Sequence, residues 1–181
     1  MYCSNCKNTQ LEPKELEPGL VAAICSSCRG ALVPLMNYRF WVDSYATATA
    51  TEAAESANNI DVAESESAQS CPKCSRLMMK YQIGPQTTNK LDLCAACDEA
   101  WLDKGEWQLL KQLDLQGKLP KIFTDAWQRN VRKQRQEIAL DDRYEKLLGE
   151  ESFSKAKEFK AWLSQQSHKE EIKQYLISHL D

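Results

Sequence analysis

The paired cysteines Cys71-Pro72-Lys73-Cys74 and Cys94-Ala95-Ala96-Cys97 decide how this chain folds, and Cys3-Ser4-Asn5-Cys6 with Cys25-Ser26-Ser27-Cys28 repeat the pattern near its start. Two thiolates separated by two residues present both sulfurs to one ion from a single tight knuckle, and two knuckles complete a tetrahedral site. The knuckles stand 18 residues apart in the first set and 19 in the second, a length that suits a β-hairpin folding back to join them. All eight cysteines are used. Two closed four-cysteine sites are therefore expected, Cys3/Cys6/Cys25/Cys28 and Cys71/Cys74/Cys94/Cys97, each holding one structural Zn2+. Rubredoxin-type iron uses the same geometry, and spacing does not distinguish the two metals. A redox dithiol fits less well, because such pairs stand alone at a helix start among alternating strands and helices.

Working outward, the residues between the knuckles read as strands. Leu20, Ala22 and Ile24 alternate with Val21 and Ala23 after a Pro18-Gly19 turn signal. Leu77, Met79, Tyr81 and Ile83 alternate with Met78, Lys80 and Gln82 before Gly84-Pro85, and Leu91 and Leu93 resume the pattern. The two modules read as an internal repeat offset by about seventy residues. After Trp101 the period becomes helical: Trp107, Leu110 and Leu113 predict a helix over Glu106 to Gln116, ended by Gly117 and Pro120. Thr124 caps a second helix from Asp125 towards Leu148, with Trp127, Val131 and Ile138 on one face and Leu140, Tyr144 and Leu147 on another. That change of face predicts a break near Asp141. A third helix opens at Ser152 or Ser154 and carries Phe159, Trp162 and Leu163, and Ser167 with Glu170 forms a capping box for a fourth.

Between the modules, residues 44–70 carry no Lys or Arg against five acids, with few large apolar side chains. Such a stretch cannot bury a core and reads as a flexible acidic linker giving little coupling between the modules, with a transient helix over Glu52 to Ala57. The fold class is thus small α+β: ribbon 1 over 1–43, linker over 44–70, ribbon 2 over 71–105 and an α-helical region over 106–181. The net charge of −3 is small, but the helical region is polarised, with Lys118 to Arg135 at +5 and Gln136 to Glu151 at −4. No apolar run approaches the roughly 18 residues of a membrane span, and a first motif at Cys3 leaves no room for a cleavable signal peptide. Both point to the cytoplasm, where reduced thiols are free to hold metal.

The second module, from Cys71 through Cys97 and on to Trp101-Leu102-Asp103-Lys104-Gly105-Glu106-Trp107, resembles the bacterial zinc-ribbon domains related to the ribbon of transcription factor IIB. The Trp-Leu-Asp-x-Gly-Glu string, together with the quartet, carries the resemblance. Where that family usually continues the second knuckle with two glycines, this chain has Asp98 and Glu99, and Ala95 stands where a proline is common. The first module is looser: Cys28-Arg29-Gly30 keeps one glycine, and no such string comes after it. The resemblance implies a zinc-binding, transcription-factor-like domain with nucleic-acid or protein contacts. Physically, Trp101 and Leu102 can cover the knuckle, while Asp103 can cap a helix starting at Lys104 or Gly105 with Glu106 completing the box. In the first module Tyr38, Phe40 and Trp41 are expected to cover its hydrophobic face instead.

Catalysis finds little support. A closed tetrathiolate site leaves no open coordination position, and His168 and His179 would sit roughly 16 Å apart on one helix. No phosphate-binding glycine loop or nucleophile elbow occurs, and no small-molecule substrate is evident. Two non-enzymatic functions fit. One is nucleic-acid binding or a transcription-associated role through Arg129, Arg132 and Lys133, which share an arc of about 100° on an ideal helix, extended by Arg135, Lys118 and Lys121. The other is a protein-interaction adapter that docks on a larger assembly through its ribbons and the aromatic residues of its tail.

Overall fold

The computed structural model describes residues 1–48, 62 and 67–178. Most of the expected linker, the helix expected over Glu52 to Ala57, and His179 lie outside the described residues. The chain divides into two compact units, Met1–Arg132 and Lys133–Asp181.

The first unit is built on one antiparallel sheet. Strands β1 (Leu11–Glu17) and β2 (Leu20–Cys25) form a hairpin, and β3 (Ala31–Pro34) adds to β2. Gly19, at φ 80°, supplies the left-handed turn conformation that a side chain would resist. The second module repeats the meander with β4 (Met79–Gln82), β5 (Lys90–Cys94) and β6 (Glu99–Leu102). The two meanders join through β3 and β6, so that the order is β1-β2-β3-β6-β5-β4. At this junction Ala31 pairs with Leu102, Leu32 with Trp101, Val33 with Ala100 and Pro34 with Glu99. Leu32 and Trp101 hold equivalent places, each four residues beyond its module's last cysteine, so the repeat closes on itself around a local two-fold. The expectation of two weakly coupled ribbons is therefore corrected: β3 and β6 pair with each other at the centre of one continuous sheet, so neither module ends in a free edge there.

The period-2 alternation of β3 and β6 feeds two cores. Ala31, Val33, Ala100 and Leu102 enter a core shared with the helices, whereas Leu32 and Trp101 enter a second one with Cys3, Cys25, Cys71 and Cys94. Helix α1 (Leu35–Ala48) comes directly after β3, extending past residue 43, and buries Tyr38 and Trp41 but leaves Phe40 exposed, so Phe40 does not serve as cover. The Tyr38 hydroxyl donates to Gln116 O at 2.7 Å and accepts from Leu119 N–H at 3.1 Å, which anchors the later segment on α1. Helix α2 (Glu106–Gln112) stops four residues before the expected Gln116. Asp114 takes φ 53° and Leu115 N–H reaches back to Leu110 O at 2.7 Å, the hydrogen bond of a Schellman stop, sealed by the buried Leu110 and Leu115. Trp107 packs edge-on against Trp41 at 5.7 Å and donates to Glu17 at 2.8 Å, so the helix of the second module covers the first.

In β2 the expected phase holds, with Leu20 and Ala22 buried and Val21 exposed. In the second hairpin it fails at one end. Ile83 is buried and Tyr81 meets Phe123 edge-on at 5.2 Å, but Leu77 and Met79 are exposed and Met78 is buried beside the cysteines. The face is covered by helices only near Ile83, where Trp127 donates to Ile83 O at 3.1 Å.

Short α3 (Leu119–Ile122) precedes α4 (Asp125–Leu148), which starts in the first unit and continues into the second. Thr124 accepts Trp127 N–H at 3.2 Å, as a cap should. No break occurs near Asp141: α4 runs unbroken for 24 residues until Gly149, because no Gly or Pro interrupts it and no packed face forces a bend. Helix α5 starts at Glu150, ahead of both expected serines, and ends at Ser164, and α6 spans Lys169–Ser178. Among the described residues 133–178 no side chain is buried. No described helix is long and apolar enough to cross a membrane. An antiparallel sheet with six described helices gives the α+β class expected from the sequence.

Candidate metal centres

Each cysteine quartet is assembled from a knuckle before one hairpin and a knuckle after it. Cys3 and Cys6 precede β1, and Cys25, at the end of β2, leads to Cys28; Cys71 and Cys74 precede β4, and Cys94, at the end of β5, leads to Cys97. Backbone hydrogen bonds close the knuckles: Lys7 N–H to Cys3 O at 2.8 Å, Arg29 N–H to Cys25 O at 2.9 Å, and Ser75 N–H to Cys71 O at 2.8 Å. The residue after each second cysteine lies in left-handed space, Lys7 at φ 55°, Arg29 at 60°, Ser75 at 62° and Asp98 at 56°. Four non-glycine residues accept that conformation, which turns the chain tightly enough to aim both sulfurs inward.

The donor sets fit a tetrahedral thiolate metal. In each quartet the four sulfurs lie within 4.8 Å of one another. The Cys3–Cys28 and Cys74–Cys94 sulfurs are 3.6 Å apart, close to the edge of about 3.8 Å that a tetrahedron with arms of about 2.3 Å requires, and far beyond a disulfide bond of about 2.05 Å. The thiols also resist ionising together. Backbone N–H of Arg76 and the neighbouring Cys97 lower Cys74 to about 7, while Cys97 is pushed up to about 12, first by Cys74 and then by desolvation. In the first quartet burial raises Cys28, while Cys25 falls to about 7 because the N–H groups of Cys28 and Ser27 outweigh its desolvation. A dication held there would supply the charge that lets four thiolates coexist.

Trp101 is wholly buried beside both quartets, where the sequence suggested cover for the second knuckle alone, whereas Leu102, the other expected cover, is buried in the core shared with the helices. Its indole N–H donates to Asp103 at 2.9 Å, and Asn5, inside the first knuckle of the other module, donates to the same carboxylate oxygen at 3.2 Å. Asp103 therefore does not cap α2 with its side chain. Only the reverse half of the expected box forms, with Asp103 N–H donating to Glu106 at 2.8 Å, and the helix begins at Glu106 rather than at Lys104 or Gly105. Glu106 is 1% exposed, and burial pushes its carboxyl up to about 8, with Asp103 and Asp92 adding repulsion. Asp92 is paired with Lys80 at 3.0 Å.

Three residues of the junction escaped the sequence reading. An added Cβ at Gly30 would lie 2.2 Å from the Trp101 ring, so only glycine admits that side chain. Arg39 donates to both oxygens of Asp98 at 2.6 and 3.1 Å. Asn5 stands between Cys3 and Cys6 and reaches Asp103 of the other module. The first of these carried a signal, the single glycine kept after Cys28; the other two depend on which strands pair.

The expected basic face divides. Arg129, Arg132 and Lys133 are exposed on α4, with Lys133 at 3.9 Å from Glu137, whereas Arg135 is half-buried. His168 is exposed, with its Nδ1 4.0 Å from Glu171. Comparison with models of known protein families, with curated proteins and with solved structures finds no match to this chain.

Proposed function

We propose that this chain is a non-enzymatic, zinc-held interaction adapter: two Zn2+ ions pin the sheet unit as a platform, and the helical tail docks on a larger protein assembly in the cytoplasm. The observation that carries this reading is the tail itself. No side chain of residues 133–178 is fully buried, and Tyr144, Leu147, Phe159, Trp162, Tyr175 and Ile177 are exposed. Helices of 10 to 24 residues with exposed aromatic and aliphatic side chains gain most of their stability from packing against something else. The quartets support a structural role for the metal, since four thiolates leave no position for water or substrate. Capture of partners from lysate by the full chain, with and without nuclease, tests the reading against the variant Phe159→Ala/Trp162→Ala/Tyr175→Ala. Nuclease-resistant partners lost in the variant support it, and partners kept by the variant sink it.

A second reading, a transcription-associated nucleic-acid binder, is favoured by the exposed Arg129, Arg132 and Lys133 and by the likeness of the second module to ribbons related to that of transcription factor IIB. It predicts that changing these three to Gln flattens the salt dependence of duplex binding by up to about 0.9 per lost phosphate contact. No duplex or single-strand binding by the parent at low salt rules it out.

A further inference from the structure

We propose that the two cysteine quartets load metal as one cooperative unit, each ion raising the affinity of the other site. This rests on the reading that both quartets hold metal. Leu32 and Trp101 face each other across the junction of β3 and β6, and both quartets lean on that pair within one buried cluster. Polar ties cross in both directions. Asn5, between the ligands Cys3 and Cys6, is held by Asp103 of the second module, and Asp103 is fixed in turn by the Trp101 indole. Asp98, next to the ligand Cys97, is held by Arg39 of the first module, and its carbonyl accepts Leu35 N–H at 3.0 Å. Each quartet thus has one knuckle positioned from the other module.

A module of about forty residues is too small to fold on apolar burial alone, so its metal-binding free energy is largely folding free energy. Emptying the second quartet frees β6. That leaves β3 as an unpaired edge, withdraws Trp101 from the first quartet and releases Asn5. An ion in the first quartet then binds to a site it must organise by itself, and linkage requires the same factor in the opposite direction. The expectation from the sequence, two modules on a tether that load independently, is the opposite outcome.

Titrating the metal-free full chain with Zn2+ against a competing chelator, and counting chains with zero, one and two ions by native mass spectrometry, tests the proposal. Independent equal sites put about half the chains in the one-ion state at half-loading, and a tenfold coupling cuts that to about a quarter. The parent is expected at or below about a quarter. The variant Asn5→Ala/Arg39→Ala keeps all eight ligands and is expected to raise the one-ion share towards half. A parent whose one-ion share reaches half overturns the proposal, as does a share that the double variant leaves unchanged. Failure to take up two ions at saturation overturns the metal reading itself, and the measured mass separates that result from lost coupling.

Discussion

Cys28 is followed by Arg29 and Gly30, whereas Cys97 is followed by Asp98 and Glu99, and at these paired places the two modules differ in ways that fit one another. The first module gives up a side chain at Gly30, and the second fills that space with Trp101. At the place matching Gly30 the second module carries Glu99, almost fully buried and joined to Lys73 at 2.8 Å. At the place matching Arg29 it carries Asp98, which receives Arg39 from the first module. The modules also differ beyond the sheet: β3 passes straight into α1, while β6 passes through Asp103 to a helix that opens on a buried acid, Glu106. The repeat presents two copies of a meander closed on four cysteines. Asymmetry at the shared strands turned them into a matched pair, with the large and small side chains on opposite partners.

The comparison breaks most completely at a ligand. Cys94→Ser should unfold the sheet unit and release metal from both quartets, a loss drawn from the apparent binding free energy of about 10–16 kcal/mol typical of structural zinc sites. Metal analysis with far-ultraviolet circular dichroism checks it, and full occupancy of the first quartet in this variant would separate the modules again. Next in size is Gly30→Ala, in which the new methyl group collides with Trp101 and should cost about 1–3 kcal/mol or more in chemical denaturation. Because the conflict is with one ring, adding Trp101→Leu to Gly30→Ala should cost less than the sum of the two single changes.

The acid that distinguishes the second module predicts a pH dependence. Burial holds Glu106 protonated up to about 8 when folded, against an ordinary value of 4.5. The folded value is raised, so its contribution is fully present below 4.5 and is lost as pH rises through about 8. The slope approaches about 1.4 kcal/mol per pH unit between those values. Denaturation of the parent and of Glu106→Gln across pH 5 to 9 should show the parent declining relative to the variant. Parallel curves would mean that the carboxyl is already ionised when folded. The smallest effect concerns the knuckles. Ser75→Gly should be neutral or stabilising by up to about 1 kcal/mol, because it relieves a left-handed residue, whereas Asp98→Gly should gain less because it also removes the partner of Arg39. Equal shifts in the two variants would show that the Arg39 pair contributes nothing measurable.

What the sequence determined by itself was chemical and local. Eight cysteines at knuckle spacing name the two quartets, because the geometry of a tetrathiolate site is written within a few residues on either side of each ligand. The Pro18-Gly19 turn, the phase of β2 and the cap at Thr124 are legible for the same reason, since each depends on neighbours along the chain. Signals that needed a distant partner were misread or silent. Met79 alternates correctly but lies where no helix covers the strand, and Asp103, shaped like a cap, is claimed instead by Trp101 and Asn5. The faces of α4 change near Asp141 without a bend, because a break comes from packing and the second half of that helix packs on nothing that would impose one. Only the tertiary structure decided that the two modules share a sheet. Hydrogen bonding between β3 and β6 is a backbone property common to every pair of strands, so their sequences do not declare the pairing, and it is fixed by the fit of Trp101 over Gly30 and beside both quartets.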